Sequence, residues 1–261
     1  MSANNDSISK TLIVTVSLCA ICAVFVSAAA VGLKPLQLAN KELDKKTNVL
    51  AAANIDTSGK DINKLFDSSV VARVLDLQTN TWADNIDPAS YDEVKAAKDP
   101  KQAVQLSSAQ DLAGIKRHAR YKTLYMVKKG DAVETLILPI HGKGLWSTLY
   151  GFMALEGDFN TVVGMGFYAH AETPGLGGEV DNPRWKSQWP GKKIYAVGDT
   201  SKAAIALIKG KVNPANKAAA NQVDGLAGAT LTSNGVTHLV QFWLSENGYA
   251  PFLAKLRAGE V

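Results

Sequence analysis

The sequence predicts an α+β protein in which a single N-terminal transmembrane helix precedes a mostly antiparallel-sheet domain with flanking helices. Three features of the 261-residue chain support this fold class. Residues 11–33 form an uncharged apolar stretch, residues 121–169 contain apolar runs separated by turn residues, and residues 232–245 have the apolar spacing of a helix. Strands joined by short turns pair antiparallel, because parallel neighbours need a longer crossover.

The N-terminal apolar stretch predicts a membrane anchor. Thr11 to Leu33 contains no charged residue, and Lys10 and Lys34 bracket it. As a helix it would measure roughly 34 Å, enough to cross a hydrocarbon core of about 30 Å. A cleaved signal peptide is the alternative, but the apolar core of such peptides usually has about 7–15 residues. We therefore expect a retained transmembrane helix at 11–33, after a short tail at 1–10.

Composition and motifs exclude several function classes. The net charge is +4 and the basic residues are spread along the chain, so no nucleic-acid partner is expected. The four histidines have no metal-ligand spacing, and Walker A, Rossmann and G-x-S-x-G motifs are missing, so we predict no metal site and no catalytic residue. Cys19 and Cys22 form a C-x-x-C pair, which elsewhere binds metals, but within the apolar stretch we favour simple packing of small side chains.

Residues 34–120 predict a stalk and an outer region of helices and loops. The spacing predicts a helix over 36–53 that could extend the anchor, a short helix over 61–66 and a strand over 70–77. Residues 79–120 are polar with scattered apolar residues, which predicts helical turns and loops on the outside of the domain. This stretch fits either a solvated insertion or a docking face for partner subunits.

Residues 121–261 predict the main domain. Lys128-Lys129-Gly130-Asp131 has the composition of a hairpin turn, and Glu156-Gly157-Asp158 predicts a second turn. Strands are expected over 124–127, 133–140, 147–155, 162–169, 194–197 and 203–209, and helices over 236–244 and 251–257.

The segment from 224 to 233, Asp-Gly-Leu-Ala-Gly-Ala-Thr-Leu-Thr-Ser, predicts an anion site. Its small residues leave the backbone uncovered, and Thr230 and Thr232 stand at the start of the predicted helix 232–245. Unpaired N–H groups and a partial positive charge at a helix start favour a phosphate. An ordinary glycine-rich turn capped by Thr or Ser fits the same ten residues.

This segment resembles the flavinylation motif of the FMN-binding domain family, Asp-x-x-Ser/Thr-Gly-Ala-Thr. The resemblance implies that Thr230 carries FMN through a phosphoester bond, with Gly228 and Ala229 beside it, Thr232 close to the phosphate, and a flavin transferase attaching the cofactor. Ala227 departs from the motif, since the family usually has Ser or Thr there.

A second segment supports the resemblance. Glu172-Thr173-Pro174-Gly175-Leu176-Gly177-Gly178 contains proline and glycines suited to a tight loop. In the family this loop packs on the isoalloxazine ring. The likeness implies ring contact by Leu176, polar contacts from Glu172 and Thr173, and close backbone approach at Gly175 and Gly177.

Two further residues are candidates near the flavin. Trp146 either stacks on the ring or belongs to the core. Lys209 either meets the phosphate or the pyrimidine oxygens, or faces solvent.

Nearly the whole chain resembles the family of C subunits of sodium-translocating NADH:quinone reductases. The resemblance implies an electron-transfer subunit in the bacterial inner membrane, with its large domain in the periplasm, other subunits as partners and NADH oxidised elsewhere in the complex. Lysines after the anchor favour the cytoplasm by the positive-inside rule, but long domains translocate largely regardless of flanking charge. Alternatives are the related G subunit of Rnf complexes and a non-redox, membrane-anchored module that binds another anion.

Overall fold

A computed structural model describes residues 7–130 and 132–261, apart from the side chain of Ser201. The chain divides into two compact units, Met1–Asp44 and Lys45–Val261. Two sequence predictions fall partly outside the described residues: the first six residues of the predicted tail, and Asp131 of the predicted hairpin turn.

The elements follow the chain in this order. The helices are α1 (Ile8–Ala52), α2 (Ile62–Ser69), α3 (Glu93–Ala96), α4 (Pro183–Lys186), α5 (Thr230–Trp243) and α6 (Ala250–Ala258), with short 3-10 helices at Gly177–Asp181 and Lys217–Asn221. The strands are β1 (Val71–Asp76), β2 (Thr81–Trp82), β3 (Ala103–Gln105), β4 (Arg117–Ala119), β5 (Tyr121–Lys129), β6 (Ala132–Lys143), β7 (Thr148–Glu156), β8 (Val162–Ala169), β9 (Tyr195–Ala196), β10 (Asp199–Ala203), β11 (Ala206–Ile208) and β12 (Gln222–Asp224).

The first unit contains the apolar part of α1. An 18-residue window of this helix has a mean hydropathy of 2.6, and among the described residues it is the one helix long and apolar enough to cross a membrane. Its apolar side chains, such as Leu12 and Phe25, are exposed, and both cysteine thiols are free. The helices predicted at 11–33 and 36–53 form one helix here, with Pro35 inside it.

The second unit is built on a six-stranded antiparallel sheet in the order β2-β1-β5-β6-β7-β8. This confirms the predicted fold class. The predicted hairpins are present as β5–β6 and β7–β8, and β1 joins the sheet through six residue pairs with β5. The chain before residue 120 therefore contributes to the same sheet as the chain after it.

Side chains that alternate along β6 bury both faces of the sheet. Leu136 and Leu138 belong to a core cluster shared with α5 and α6, whereas Ile137 belongs to a second cluster with Val49 and Leu50 at the end of α1. Alternation of this kind is what period-two spacing of side chains produces. The sheet is thus covered by helices on both sides.

Two local predictions differ from the structure. The region 79–120 contains the short strand pair β3–β4, where we expected helical turns and loops. The single strand expected over 203–209 is divided into β10 and β11, and β11 pairs parallel with β12. Strands of three to five residues are specified by their partners more than by their own apolar pattern, so sequence spacing does not define them.

The sheet opens between β5 and β6 at one end. Their pairing runs from Lys129↔Ala132 to Tyr125↔Ile137 and goes no further. Beyond that point two β6 carbonyl oxygens accept hydrogen bonds from side chains near the C-terminus: Tyr249 Oη donates to Pro139 O at 2.7 Å, and Trp243 Nε1 donates to His141 O at 2.7 Å. The C-terminal segment thereby replaces a neighbouring strand.

We expect Leu50→Ala to lower the free energy of unfolding of the second unit by about 2–5 kcal/mol, because Leu50 is fully buried against the sheet and the change leaves a cavity. Leu112→Ala is the matched control, since Leu112 is 45% exposed. Denaturant unfolding followed by near-ultraviolet circular dichroism would measure both. Equal losses in the two variants would show that the end of α1 does not pack on the sheet.

Candidate functional site

Three loops meet at one end of the sheet. Residues 144–147 connect β6 to β7, residues 172–178 follow β8, and residues 225–229 lead from β12 into α5. The last two loops are the segments that the sequence singled out. The structure therefore brings both predicted segments together and adds the β6–β7 turn that carries Trp146.

Glu172 lies at the centre of these loops. Its carboxylate is 5% exposed and accepts four hydrogen bonds. The donors are the backbone N–H groups of Leu145 (3.2 Å), Trp146 (3.0 Å) and Ser147 (3.3 Å), and the hydroxyl of Thr232 (2.6 Å). A buried carboxylate is stable only when its lone pairs are satisfied.

The hydrogen bonds keep Glu172 ionised. Burial, the largest influence, raises its pKa, but the Thr232 hydroxyl and the three backbone N–H groups together lower it below the ordinary value. Glu172 and Thr232 were predicted to contact the ligand. In the structure both are buried and hold the loops together, and contact with a ligand stays a prediction for each.

Two glycines allow the loops to approach closely. A Cβ on Gly177 would lie 2.5 Å from Thr232 Oγ1, so the 172–178 loop touches the first turn of α5. Gly228 has φ +71°, and a Cβ there would lie 3.0 Å from Leu176 Cδ2. A side chain at either position would push the loops apart, which explains why small residues are needed in both segments.

Thr230 is the first residue of α5, two residues earlier than predicted, and its side chain is exposed. The preceding residue, Ala229, provides no side-chain cap. Among the described residues no side chain accepts a hydrogen bond from the N–H groups of Thr230, Leu231 or Thr232. The helix start therefore presents uncapped donors beside an exposed hydroxyl, an arrangement that favours an anion.

Exposed apolar side chains stand on two of the loops and on the first turn of α5. Trp146 is 67% exposed, Leu176 43% and Leu231 61%. Trp146 is thus not a core residue. Backbone hydrogen bonds to Glu172 fix the turn that carries this exposed indole.

The remaining predicted residues lie at the edge of the site. Thr173 and Gly175 are exposed in the 172–178 loop, and Gly175 has φ +76°. Lys209 follows β11 and is exposed. A Cβ added to Gly225 would lie 3.8 Å from the Cα of Lys209. The backbone at Lys209 is therefore next to the loop that leads to Thr230.

Sequence reasoning missed two serines that shape the loops. Ser147 Oγ accepts a hydrogen bond from the N–H of Ala171 at 2.7 Å, which ties the β6–β7 turn to the 172–178 loop. Ser233 Oγ accepts from the N–H of Leu226 at 2.9 Å and donates to Ala229 O at 3.0 Å. The position of Ser233 in the first turn of a helix was the available signal, because serine there often bonds the preceding backbone.

Comparison with known proteins agrees with this geometry. Residues 144–245 match the family model of the FMN-binding domain, and this range contains all three loops. The chain is 54% identical to the C subunit of the Na(+)-translocating NADH-quinone reductase of Pseudomonas aeruginosa over 263 aligned positions, covering 99% of this chain and all of that one. The corresponding protein of Vibrio vulnificus is 48% identical and 98% of each chain is covered.

Solved structures have the same fold. The crystal structure of Shewanella oneidensis NqrC superposes with a TM-score of 0.76 at 33% identity, covering 84% of this chain and 99% of that one. The crystal structure of the corresponding Na(+)-translocating NADH-quinone reductase protein from Parabacteroides distasonis superposes with a TM-score of 0.65 at 27% identity, covering 85% and 96%.

We expect Glu172→Gln to lower the free energy of unfolding by about 1–3 kcal/mol, because the new amide NH2 would face N–H donors and leave at least one of them unpaired. Glu179→Gln is the matched control, since within the described part of the chain that half-buried carboxylate accepts one side-chain hydrogen bond, from Asn182. Chemical denaturation at pH 7 would measure both variants. An equal effect of the two changes would contradict the central role of Glu172.

The stabilisation by Glu172 should also depend on pH. Because its folded-state pKa is depressed, the stabilisation is fully present above the unfolded-state pKa of about 4.3 and is lost as the pH falls through the folded-state pKa. The difference in unfolding free energy between wild type and Glu172→Gln should therefore shrink below about pH 4.3. A difference that stays constant from neutral pH to well below that value would contradict an ionised Glu172.

Proposed function

The chain belongs to the family of Na(+)-translocating NADH-quinone reductase C subunits, and from this membership and the geometry of the three loops we propose that it is a membrane-anchored electron-transfer subunit with FMN attached to Thr230. The other subunits of that reductase are its partners. The observation that carries the attachment site is the exposed Thr230 hydroxyl at an uncapped helix start.

The helix start suits the phosphate of FMN. An ester between the phosphate and Thr230 Oγ leaves one negative charge, which the N–H groups of the first turn of α5 stabilise. A flavin transferase supplies the group from FAD: the bond between phosphorus and Thr230 Oγ forms, the bond joining the two phosphates of FAD breaks, and AMP leaves with the electron pair. The Thr230 proton is taken up by the transferase or by water.

Ala227 does not disrupt the loop. The family usually has a hydroxyl at this position, and here Ala227 is exposed and makes no side-chain hydrogen bond. Ser233 closes the loop instead through its bonds to Leu226 and Ala229. The side-chain hydrogen bonds that close the segment before Thr230 therefore do not involve residue 227.

The exposed apolar side chains suit a flat aromatic ring. Leu176 lies against Gly228, two residues before the attachment site, and Trp146 stands on the neighbouring turn. We propose that Leu176 contacts the isoalloxazine, that Trp146 shields it from water, and that Thr173 and Gly175 line its edge. Lys209, beside the loop, contributes positive charge near the phosphate or the pyrimidine oxygens.

The cofactor and the protein have different roles in the proposed electron transfer. When bound, FMN supplies the redox chemistry, and the protein supplies its position and surroundings. The Glu172 carboxylate is already hydrogen-bonded to the loops that it holds together. We therefore assign no acid or base of this chain to proton transfer. We propose that NADH is oxidised by another subunit and that this chain relays electrons, because a single membrane-spanning helix forms no pore for sodium.

The relatives favour one of the alternatives raised by the sequence. Identity to quinone-reductase C subunits extends over the whole chain, including residues 55–120, and this supports that complex over an Rnf complex. The match to the FMN-binding domain likewise supports a flavoprotein over a non-redox anion-binding module.

Intact mass spectrometry tests the attachment site. The full chain co-produced with a flavin transferase should gain the mass of one FMN less one water. Thr230→Val should abolish this gain, because it keeps the side-chain shape and removes the hydroxyl, and Thr230→Ser should retain it. Thr79→Val, which removes an exposed hydroxyl in the turn between β1 and β2, outside the three loops, is the control and should remain fully modified. Modification of Thr230→Val would refute the proposal.

The large domain is further proposed to lie in the periplasm. The native cysteines, Cys19 and Cys22, are both in the apolar helix, so a Cys19→Ala, Cys22→Ala background can carry single reporter cysteines. Lys64→Cys should react with a membrane-impermeant maleimide in cells with a permeabilised outer membrane. Ser2→Cys should react only after the inner membrane is broken. The reverse pattern would place the domain in the cytoplasm.

A further inference from the structure

A second pocket lies where the sheet opens between β5 and β6. Its volume is about 250 Å³, and none of its lining residues belongs to the three loops around Glu172. One wall is β6 and β7 at His141 and Tyr150, and the other walls are α3 and the loop 114–117. The pocket exists because β6 lacks a strand partner beyond Ile137 on this side.

The charge of the pocket is strongly positive. Four basic side chains line it, Lys98, Lys116, Arg117 and Lys122, against a single carboxylate, Glu93. Lys98, Lys116 and Arg117 are exposed at the rim, and within the described part of the chain none of these three forms an ion pair. Three unpaired cations around one small concavity attract an anion.

The deep end of the pocket is a built polar site. Lys122 is 2% exposed, and its Nζ lies 2.9 Å from Glu93 Oε2 and 4.6 Å from the centroid of the Trp243 ring. Glu93 Oε1 accepts a hydrogen bond from the N–H of Thr123, so the ion pair is fixed to β5. The buried Lys122 ammonium is thus paired with a carboxylate that is itself hydrogen-bonded to the backbone.

His141 adds a neutral hydrogen-bonding group. Its ring stacks on Tyr150 with centroids 5.4 Å apart, and burial together with nearby Lys122 and His118 lowers its pKa well below the ordinary value. Among the described residues neither ring nitrogen of His141 has a hydrogen-bond partner. A neutral imidazole offers one donor and one acceptor to a ligand.

The backbone of the rim loop is held by one carboxylate. Asp111 accepts hydrogen bonds from the N–H groups of Ile115 and Lys116, both at 2.8 Å. Lys116 has φ +63°, a backbone conformation that L residues other than Asn and Asp rarely adopt. These contacts fix the backbone that presents Lys116 and Arg117 at the rim.

We propose that this pocket binds a small oxyanion, a molecule with two or three carboxylates or a phosphate ester. Lys and Arg side chains pair with such groups through charge-assisted hydrogen bonds. The volume is below that of pockets for drug-sized ligands but exceeds that of a single water-sized group, which suits a compact polyanion. The lining residues of this pocket differ from the residues at the start of α5, and Thr148, which adjoins the β6–β7 turn, is the lining residue nearest in sequence to the three loops.

Calorimetric titration of the full-length chain in detergent tests this site, with citrate and inorganic phosphate as probes at constant ionic strength. Lys116→Asn/Arg117→Gln removes two rim cations, and asparagine tolerates the backbone conformation at 116. Lys128→Gln/Lys129→Gln is the matched control, because it removes two adjacent exposed lysines elsewhere on the domain. Thr230→Val excludes a contribution from bound FMN.

We expect one probe anion per chain to bind wild type, the control and Thr230→Val equally, and to bind the Lys116→Asn/Arg117→Gln variant at least about tenfold more weakly. Binding of citrate alone identifies a carboxylate ligand, and binding of phosphate alone identifies a phosphorylated one. Absence of binding to wild type by both probes, or equal affinity in both double variants, would overturn the proposal.

Discussion

The proposed FMN site depends on one buried carboxylate. Glu172 accepts hydrogen bonds from the β6–β7 turn and from the first turn of α5, and it belongs itself to the loop after β8. These segments come from separate parts of the chain, and each carries one of the exposed groups that we propose to hold FMN: Trp146, Leu176 and Thr230. Glu172 is the one side chain that contacts all three segments through hydrogen bonds among the described residues.

This arrangement divides the site into an inner and an outer part. The inner part, Glu172 with Thr232 and the neighbouring N–H groups, is polar, buried and fully hydrogen-bonded. The outer part, Trp146 with Leu176 and Leu231, is apolar and exposed. Preorganised polar groups beneath an apolar surface hold a ligand in one orientation without rearranging when it binds. A redox cofactor at this position would keep one edge accessible, as a relay between partners requires.

Much of this protein could be predicted from its sequence, and the limits have physical reasons. The apolar stretch at 11–33, the two hairpins and the helix after Thr230 have strong periodic signals, so their existence was predicted correctly. The burial of Glu172 could not be predicted, because four donors from two distant segments make it possible. The parallel pair β11–β12 and the gap between β5 and β6 likewise depend on tertiary partners that local spacing does not encode.

The two hydrogen bonds from Tyr249 and Trp243 to the carbonyl groups of β6 have a consequence for folding. They join residues that are 110 and 102 positions apart in the sequence. Contacts between residues this far apart form slowly. Pro139 and His141 therefore keep open carbonyl acceptors until the segment with Trp243 and Tyr249 docks, and an uncovered strand edge of this kind can pair with another chain.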